Sequence, residues 1–245
     1  MLSFAHHASR QRPNACRCAR ALVTDASAVR NNLRTLLRDT AQPVAVVTAR
    51  MDPAIPHAQH PSHTHNGPKE SRFHGATLSS FSSIAMDPHP LVAFSLRIPS
   101  RMATSLTSAH AHGPSSGLAH LVVNILSEHQ VDTAVRFSRP DVHPEPFVGL
   151  PYSLTQEGLP VLNGSIGAIS CRLVAASWKL HDLESLVGGE RKREEGQWEG
   201  EGVASELFIA EVVRVERTPF EGEPRPLLYH RRDYYTTRPI VADTS

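Results

Sequence analysis

Gly75-Ala76-Thr77-Leu78-Ser79-Ser80-Phe81-Ser82-Ser83 is the stretch on which the reading of the fold turns. Five of the seven residues from Thr77 to Ser83 carry hydroxyls. The stretch ends a predicted strand over Phe73 to Ser79. After it Asp87-Pro88-His89-Pro90 makes a stiff turn that sets up a second strand at Leu91-Val92-Ala93-Phe94-Ser95-Leu96. A polar bend between two strands, with no helix intervening, reads as a link between antiparallel strands. Hydroxyls and unpaired backbone N–H groups in such a bend form a nest for an anion without help from a helix dipole. About 20 residues on, Ser100-Arg101 opens a predicted helix, offering a guanidinium fork and free N–H groups to the same phosphate. The plainer reading is a Ser-rich turn with Ser100 as an ordinary N-cap, and spacing alone does not choose between the two.

The flanking sequence gives the class. Ser27 can cap a helix whose apolar residues Val29, Leu33, Leu36 and Leu37 form one buried stripe. Gln42-Pro43 breaks it, and Val44-Ala45-Val46-Val47-Thr48-Ala49 reads as a buried strand. Residues 51–72, dense in Pro, His and Ser, read as an exposed insertion between two strands. A short helix is expected from Ser100 to about Ala109, a strand over His120 to Leu126, and a helix with Val131, Ala134 and Val135 inward. Pro140 to Pro160 reads as irregular. Late strands run through Ile169 to Val174 and Leu207 to Val213, the second alternating onward to Glu216, and residues 188–202 make a charged loop. Strands outnumber helices and do not alternate with them one for one. That excludes a doubly wound parallel sheet and predicts a mainly β antiparallel barrel or sandwich with small flanking helices.

Composition narrows function. The chain has 245 residues, with 25 basic against 24 acidic groups, a balance unsuited to a protein built to neutralise nucleic-acid phosphates. Three cysteines cannot staple a fold of this size, and no run reaches the roughly 18 apolar residues of a membrane span. The charge is uneven: residues 1–24 hold Arg10, Arg12, Arg17 and Arg20 and no acid, leaving 21 basic against 24 acidic groups beyond. An Arg-rich, acid-free start is the composition of a mitochondrial transit peptide, so a mitochondrial matrix protein is expected. The alternative is a disordered basic N-terminus on a cytoplasmic protein.

Familiar motifs fail. There is no G-x-G-x-x-G and no P-loop. Gly113-Pro114-Ser115-Ser116-Gly117 matches a nucleophile elbow by letters, but sits between a helix and a strand in the wrong order. His57, His60, His63 and His65 invite a metal, yet on a long loop they lack fixed geometry, and no metal site is expected. Cys171 reads as a small buried hydrophobe in an alternating strand.

Nine short segments, taken in order, resemble the flavin reductase-like, FMN-binding split-barrel family. They are Pro43 to Ala49, Gly75 to Ser83, Asp87 to Val92, Pro99-Ser100-Arg101, Val122 to Ser127, Arg136-Phe137-Ser138, Leu159 to Leu162, Cys171-Arg172-Leu173 and Pro226 to Tyr229, and the likeness extends over roughly Ala28 to Tyr235 within a domain of residues 25–240. The resemblance implies a six-stranded antiparallel split β-barrel, a homodimer with FMN at the subunit interface, and NADH or NADPH as electron donor. It implies that Ala76, Thr77, Ser79, Ser80, Phe81, Ser82 and Ser83, with Ser100 and Arg101, hold flavin and phosphate, and that Asn124 lies near the flavin ring. It departs from the pattern in two places. Met102 stands where many members carry Ser or Thr, and Leu180-His181-Asp182 reverses the family's Gly-Asp-His. His181 is the single candidate for a catalytic contact beside the nicotinamide. The implied function is hydride transfer from a nicotinamide to flavin; a non-catalytic FMN-binding protein, or a mitochondrial interaction protein on the same fold, is the alternative.

Overall fold

The computed structural model describes residues 26–51, 72–111, 118–174, 178–180, 204–216 and 223–239. The expected leader, the bulk of the 51–72 insertion with its four histidines, the Gly113–Gly117 match, His181 and the 188–202 loop lie outside the described residues. The chain divides into two compact units after Arg38. In the first, helix α1 (Ala26–Arg38) carries the periodic stripe the sequence predicts, but the stripe is not buried: Val29, Leu33, Leu36 and Leu37 are 46–65% exposed. Periodicity fixes the face of a helix, not the presence of a surface to cover it.

The second unit holds strands β1 (Gln42–Pro43), β2 (Ala45–Arg50), β3 (Phe73–Leu78), β4 (Ser82–Ala85) and β5 (Leu91–Ile98), then helix α2 (Arg101–Ala111). Strand β6 (Leu121–Ile125) and helix α3 (Val131–Ser138) follow, then β7 (Tyr152–Leu154), β8 (Pro160–Leu162), β9 (Gly167–Leu173), β10 (Trp178–Lys179), β11 (Ala204–Glu216), β12 (Leu228–His230) and β13 (Asp233–Tyr235). One sheet runs β3-β2-β6-β9-β11-β5-β4, with β10 added on β11 and every pairing antiparallel. Its six long strands are the barrel the sequence implies; β4 is a four-residue seventh on the edge. The sheet curls so that β3 and β5 approach one another without a ladder between them. This is the split.

Alternation along each strand decides what lies inside. Ala45, Val47 and Ala49 of β2, Leu78 of β3, Phe94 and Leu96 of β5, and Leu121 and Val123 of β6 form one enclosed core with Cys171, Leu173, Phe208 and Ala210. Helix α2 plugs it with Met102, Ala103 and Leu106. Phe94 and Phe208 face each other in register and stack at 5.5 Å, adding about 1 kcal/mol beyond their buried area. The other face of β2 is also covered: Val46 packs with Ala134 and Phe137 of α3, and with Phe147, Leu162 and Leu227. Burial on both faces explains why this strand reads as an unbroken apolar run.

Two expectations change. The inward face of α3 is Thr133, Ala134 and Phe137, while Val135 is exposed, because the helix lies with its 133/137 edge on the barrel. Within the stretch read as irregular, β7 and β8 form a hairpin whose β8 is fully buried. Short strands of three residues carry no periodicity to detect.

Candidate functional site

The bend between β3 and β4 lies on the split, and its residues divide into anchors and free groups. Ala76 and Phe81 pack against the barrel core. The Thr77 hydroxyl donates to the Ala134 carbonyl at 2.7 Å, fastening β3 to α3. The Ser80 hydroxyl accepts from the Ser95 N–H at 2.8 Å and donates to the Ser95 carbonyl at 3.2 Å, fastening the bend to β5. The single O–H donor of each hydroxyl is spent within the fold, so both fasten the bend in place. Ser79 is exposed, with no hydroxyl partner among the described residues. Ser82 donates only to the carbonyl of Ser83, and Ser83 only to the Met86 sulfur at 3.7 Å, both on the surface. The bend is therefore open to solvent on its hydroxyl side and pinned on the other.

The start of α2 forms the second part. Ser100 is an N-cap: its hydroxyl accepts from the Ala103 N–H at 3.1 Å. Arg101 is half-buried, donates to the Pro144 carbonyl at 3.1 Å, and forms no ion pair among the described residues. Burial and the Arg101 charge together lower the pKa of His74 to about 4, so this imidazole is neutral at physiological pH. His74 is 7% exposed and lies on the same side of β3 as Ala76 and Leu78. Met102 is buried in the barrel core, so its position faces away from any ligand at the split and no hydroxyl is missed there.

Asn124 corrects an expectation. It is fully buried; its amide NH2 donates to the Val46 carbonyl and the Thr48 hydroxyl, both at 3.1 Å, and its carbonyl accepts from the Leu162 N–H at 2.8 Å. Thr48 in turn donates to the Pro160 carbonyl at 2.6 Å. Asn124 therefore pins β8 to the outside of the barrel, with both donors of its amide and one acceptor site spent inside the fold. Cys171 is buried in the barrel, where desolvation pushes its thiol up to about 12, so it is inert as the sequence implies.

Sequence reasoning missed His74 and the reason for Gly75. The signal for His74 was an imidazole in the inward phase of an apolar strand. Gly75 sits under α3: a Cβ there would lie 2.8 Å from two ring carbons of Phe137 and 2.9 Å from the Val47 carbonyl. Only glycine lets α3 approach closely enough for Thr77 to reach Ala134.

A bend with solvent-facing hydroxyls and, at the start of α2, a half-buried guanidinium with no ion pair among the described residues have the charge and hydrogen-bond capacity to suit a phosphate-bearing ligand. Known proteins resemble this chain. The chain is 28% identical over 165 residues to the flavin-dependent monooxygenase reductase subunit HsaB of Mycobacterium tuberculosis, covering 67% of this chain and 69% of that protein. It is 32% identical over 118 residues to the FMN reductase (NADH) SmoA of Agrobacterium fabrum, covering 47% and 58%. Among solved structures it superposes on the styrene monooxygenase flavin reductase of Pseudomonas putida S12 with a TM-score of 0.56 at 25% identity, over 86% of this chain and 100% of that one. Residues 37–238 match the flavin reductase like domain, and the chain belongs to that family.

Proposed function

We propose that this protein is an FMN-binding oxidoreductase, an NAD(P)H-dependent flavin reductase. The observations that carry the reading are the solvent-facing hydroxyls of the bend and the half-buried guanidinium of Arg101, which forms no ion pair among the described residues. When bound, FMN supplies the ring system that takes up a hydride from the nicotinamide. The chain's own residues bind and orient. Arg101 presents its fork to the phosphate, with Ser79, Ser82, Ser83 and the N–H groups of the bend as further donors. Phe81 in the core, Thr77 through Ala134 and Ser80 through Ser95 hold those donors in place before the ligand arrives, so little ordering cost falls on binding. Neutral His74 adds no second positive charge beside Arg101 at physiological pH. The Agrobacterium relative is named for NADH, which supports a nicotinamide donor here.

The test is an anaerobic absorption spectrum of the purified protein with FMN, then with each nicotinamide. Flavin uptake followed by bleaching is expected. Uptake without bleaching would favour a non-catalytic flavin protein, and failure to take up FMN would sink both readings. Arg101→Ala should weaken FMN binding by about 1.5–3 kcal/mol, the worth of a charge-assisted hydrogen bond. Two further parts of the proposal rest on resemblance and composition: a homodimer with flavin at its interface, and a cleaved leader over residues 1–24 that directs the protein to the mitochondrial matrix. Light scattering tests the first. Import of a chain lacking residues 1–24 would overturn the second.

A further inference from the structure

Helix α1 (Ala26–Arg38) rises about 20 Å over its 13 residues, and every side chain from Val29 to Arg38 is exposed. A helix of that length is marginal in water by itself, and an amphipathic one draws its stability from whatever covers its apolar face. Val29, Leu33, Leu36 and Leu37 fall within about 100° of the circumference, so the face is one narrow stripe. Neither the proposed flavin site nor the barrel core uses it. The chain divides after Arg38, and the family match begins at residue 37, so all but the last two residues of α1 stand ahead of the matched domain.

Charge indicates what covers the stripe. Arg30, Arg34 and Arg38 recur at every fourth position and occupy the next sector of roughly 80°, beginning beside Leu37. Like charges at that spacing repel along a helix. Helix α1 holds no acid to offset them, and Arg34 and Arg38 form no ion pair among the described residues. The sector beyond is uncharged, with Asn31, Asn32 and Thr35. Over residues 1–38 seven arginines stand against a single carboxylate, Asp25. A second copy of α1 would bring three more cations to the same edge, which disfavours self-pairing. A surface that is apolar beneath and anionic at its rim meets both needs: the leucines sink, and the arginine stems lie along the boundary with their guanidinium groups among phosphates. No helix among the described residues is long and apolar enough to cross a membrane, so α1 would lie in the plane of such a surface.

We infer that α1 is an interfacial helix that docks the protein on an anionic lipid bilayer. Val29, Leu33, Leu36 and Leu37 enter the acyl boundary, and Arg30, Arg34 and Arg38 meet the lipid phosphates. The inference is independent of the reductase reading, because none of these residues belongs to the proposed flavin site.

The test is co-sedimentation of the full-length protein with vesicles of phosphatidylcholine and phosphatidylglycerol in equal parts, against vesicles of phosphatidylcholine alone. Wild type binds the anionic vesicles, binds the neutral ones far less, and is released as salt rises. Arg30→Gln, Arg34→Gln and Arg38→Gln together weaken binding about a hundredfold, roughly fivefold for each arginine. Leu33→Ala with Leu36→Ala, which keeps helix propensity while removing apolar area, weakens it about tenfold. Every variant retains the four arginines of residues 1–24, so binding owed to that segment survives all of them. All the substituted positions are exposed, and urea melts confirm that the variants fold. Binding that is absent, equal on neutral vesicles, or unmoved in both variants overturns the inference. Light scattering in which the leucine variant falls from a larger assembly to a smaller one also overturns it, by giving the stripe to a second copy of the chain.

Discussion

Replacing Gly75 by alanine tests the link between helix packing and the geometry of the bend. The added methyl would sit 2.8 Å from Cδ1 and Cε1 of Phe137 and 2.9 Å from the Val47 carbonyl, against a comfortable carbon–carbon separation of about 3.5–4.0 Å. Neither neighbour can give way easily. Phe137 is buried edge-on against Phe147 at 5.2 Å, and Val47 is held in the ladder between β3 and β6. Overpacking of this kind costs about 1–3 kcal/mol. Restricting the unfolded chain returns about 0.4–1 kcal/mol, so a net loss of about 1–2 kcal/mol is expected. Because α3 must lift, the Thr77–Ala134 hydrogen bond lengthens and FMN affinity falls as well. The assay is urea unfolding of Gly75→Ala, Phe137→Leu and the double variant, with FMN titration of each. The clash predicts coupling: the glycine substitution should cost less than half as much once the Phe137 ring is gone. Additive losses, or a Gly75→Ala protein as stable as wild type, would refute the packing account.

Three other perturbations have signs fixed by the structure. Arg231 and Arg232 form a two-residue hairpin loop with φ of 51° and 70°, a conformation that favours glycine, so Arg232→Gly should raise the unfolding free energy in urea by about 1 kcal/mol; a lowered value would show that the Arg232 side chain stabilises the loop. His74 is held neutral down to about pH 4, whereas the unfolded chain takes up its proton near 6.5. Its contribution is therefore nil above pH 6.5 and becomes a penalty as pH falls toward 4, of the order of 2 kcal/mol by pH 5, and His74→Asn should flatten the stability profile between pH 7.5 and 5. Asn124→Ala leaves the buried Leu162 N–H without its acceptor and should cost about 2–4 kcal/mol in urea, with FMN affinity unchanged under native conditions; a selective loss of flavin binding would return Asn124 to the ligand site.

Much of the barrel was legible because its strands are long enough to show their phase. β5 and the first half of β11 alternate cleanly, and β2 reads as a continuous apolar run because both of its faces are covered. The alternation of β11 fails beyond Val212, where a register shift against β9 lets Arg214 reach Glu157, Glu216 and Ser170 together. No sequence pattern announces a bulge of that kind. The β7–β8 hairpin was hidden by its shortness, and the stripe on α1 was read correctly as a pattern and wrongly as burial.

The site shows a subtler limit. A run of hydroxyls in a turn reads as a set of equivalent donors, yet the fold assigns them opposite duties by the direction in which each points. Thr77 alternates with Ala76 and so meets α3; Ser80 turns back on the backbone of Ser95; Ser79, Ser82 and Ser83 are left facing solvent. Those committed to the protein hold the bend in place, and a bend so held is what the proposed anion site asks of the remaining three. Asn124 obeys the same logic from the other side. An amide two strands away from β3 in the sheet looks like a ligand contact, yet its partners in the structure are all protein. Hydrogen-bond capacity left over after folding, and not residue type, marks the groups available to a ligand, and by that measure the proposed phosphate site rests on Arg101 with Ser79, Ser82 and Ser83.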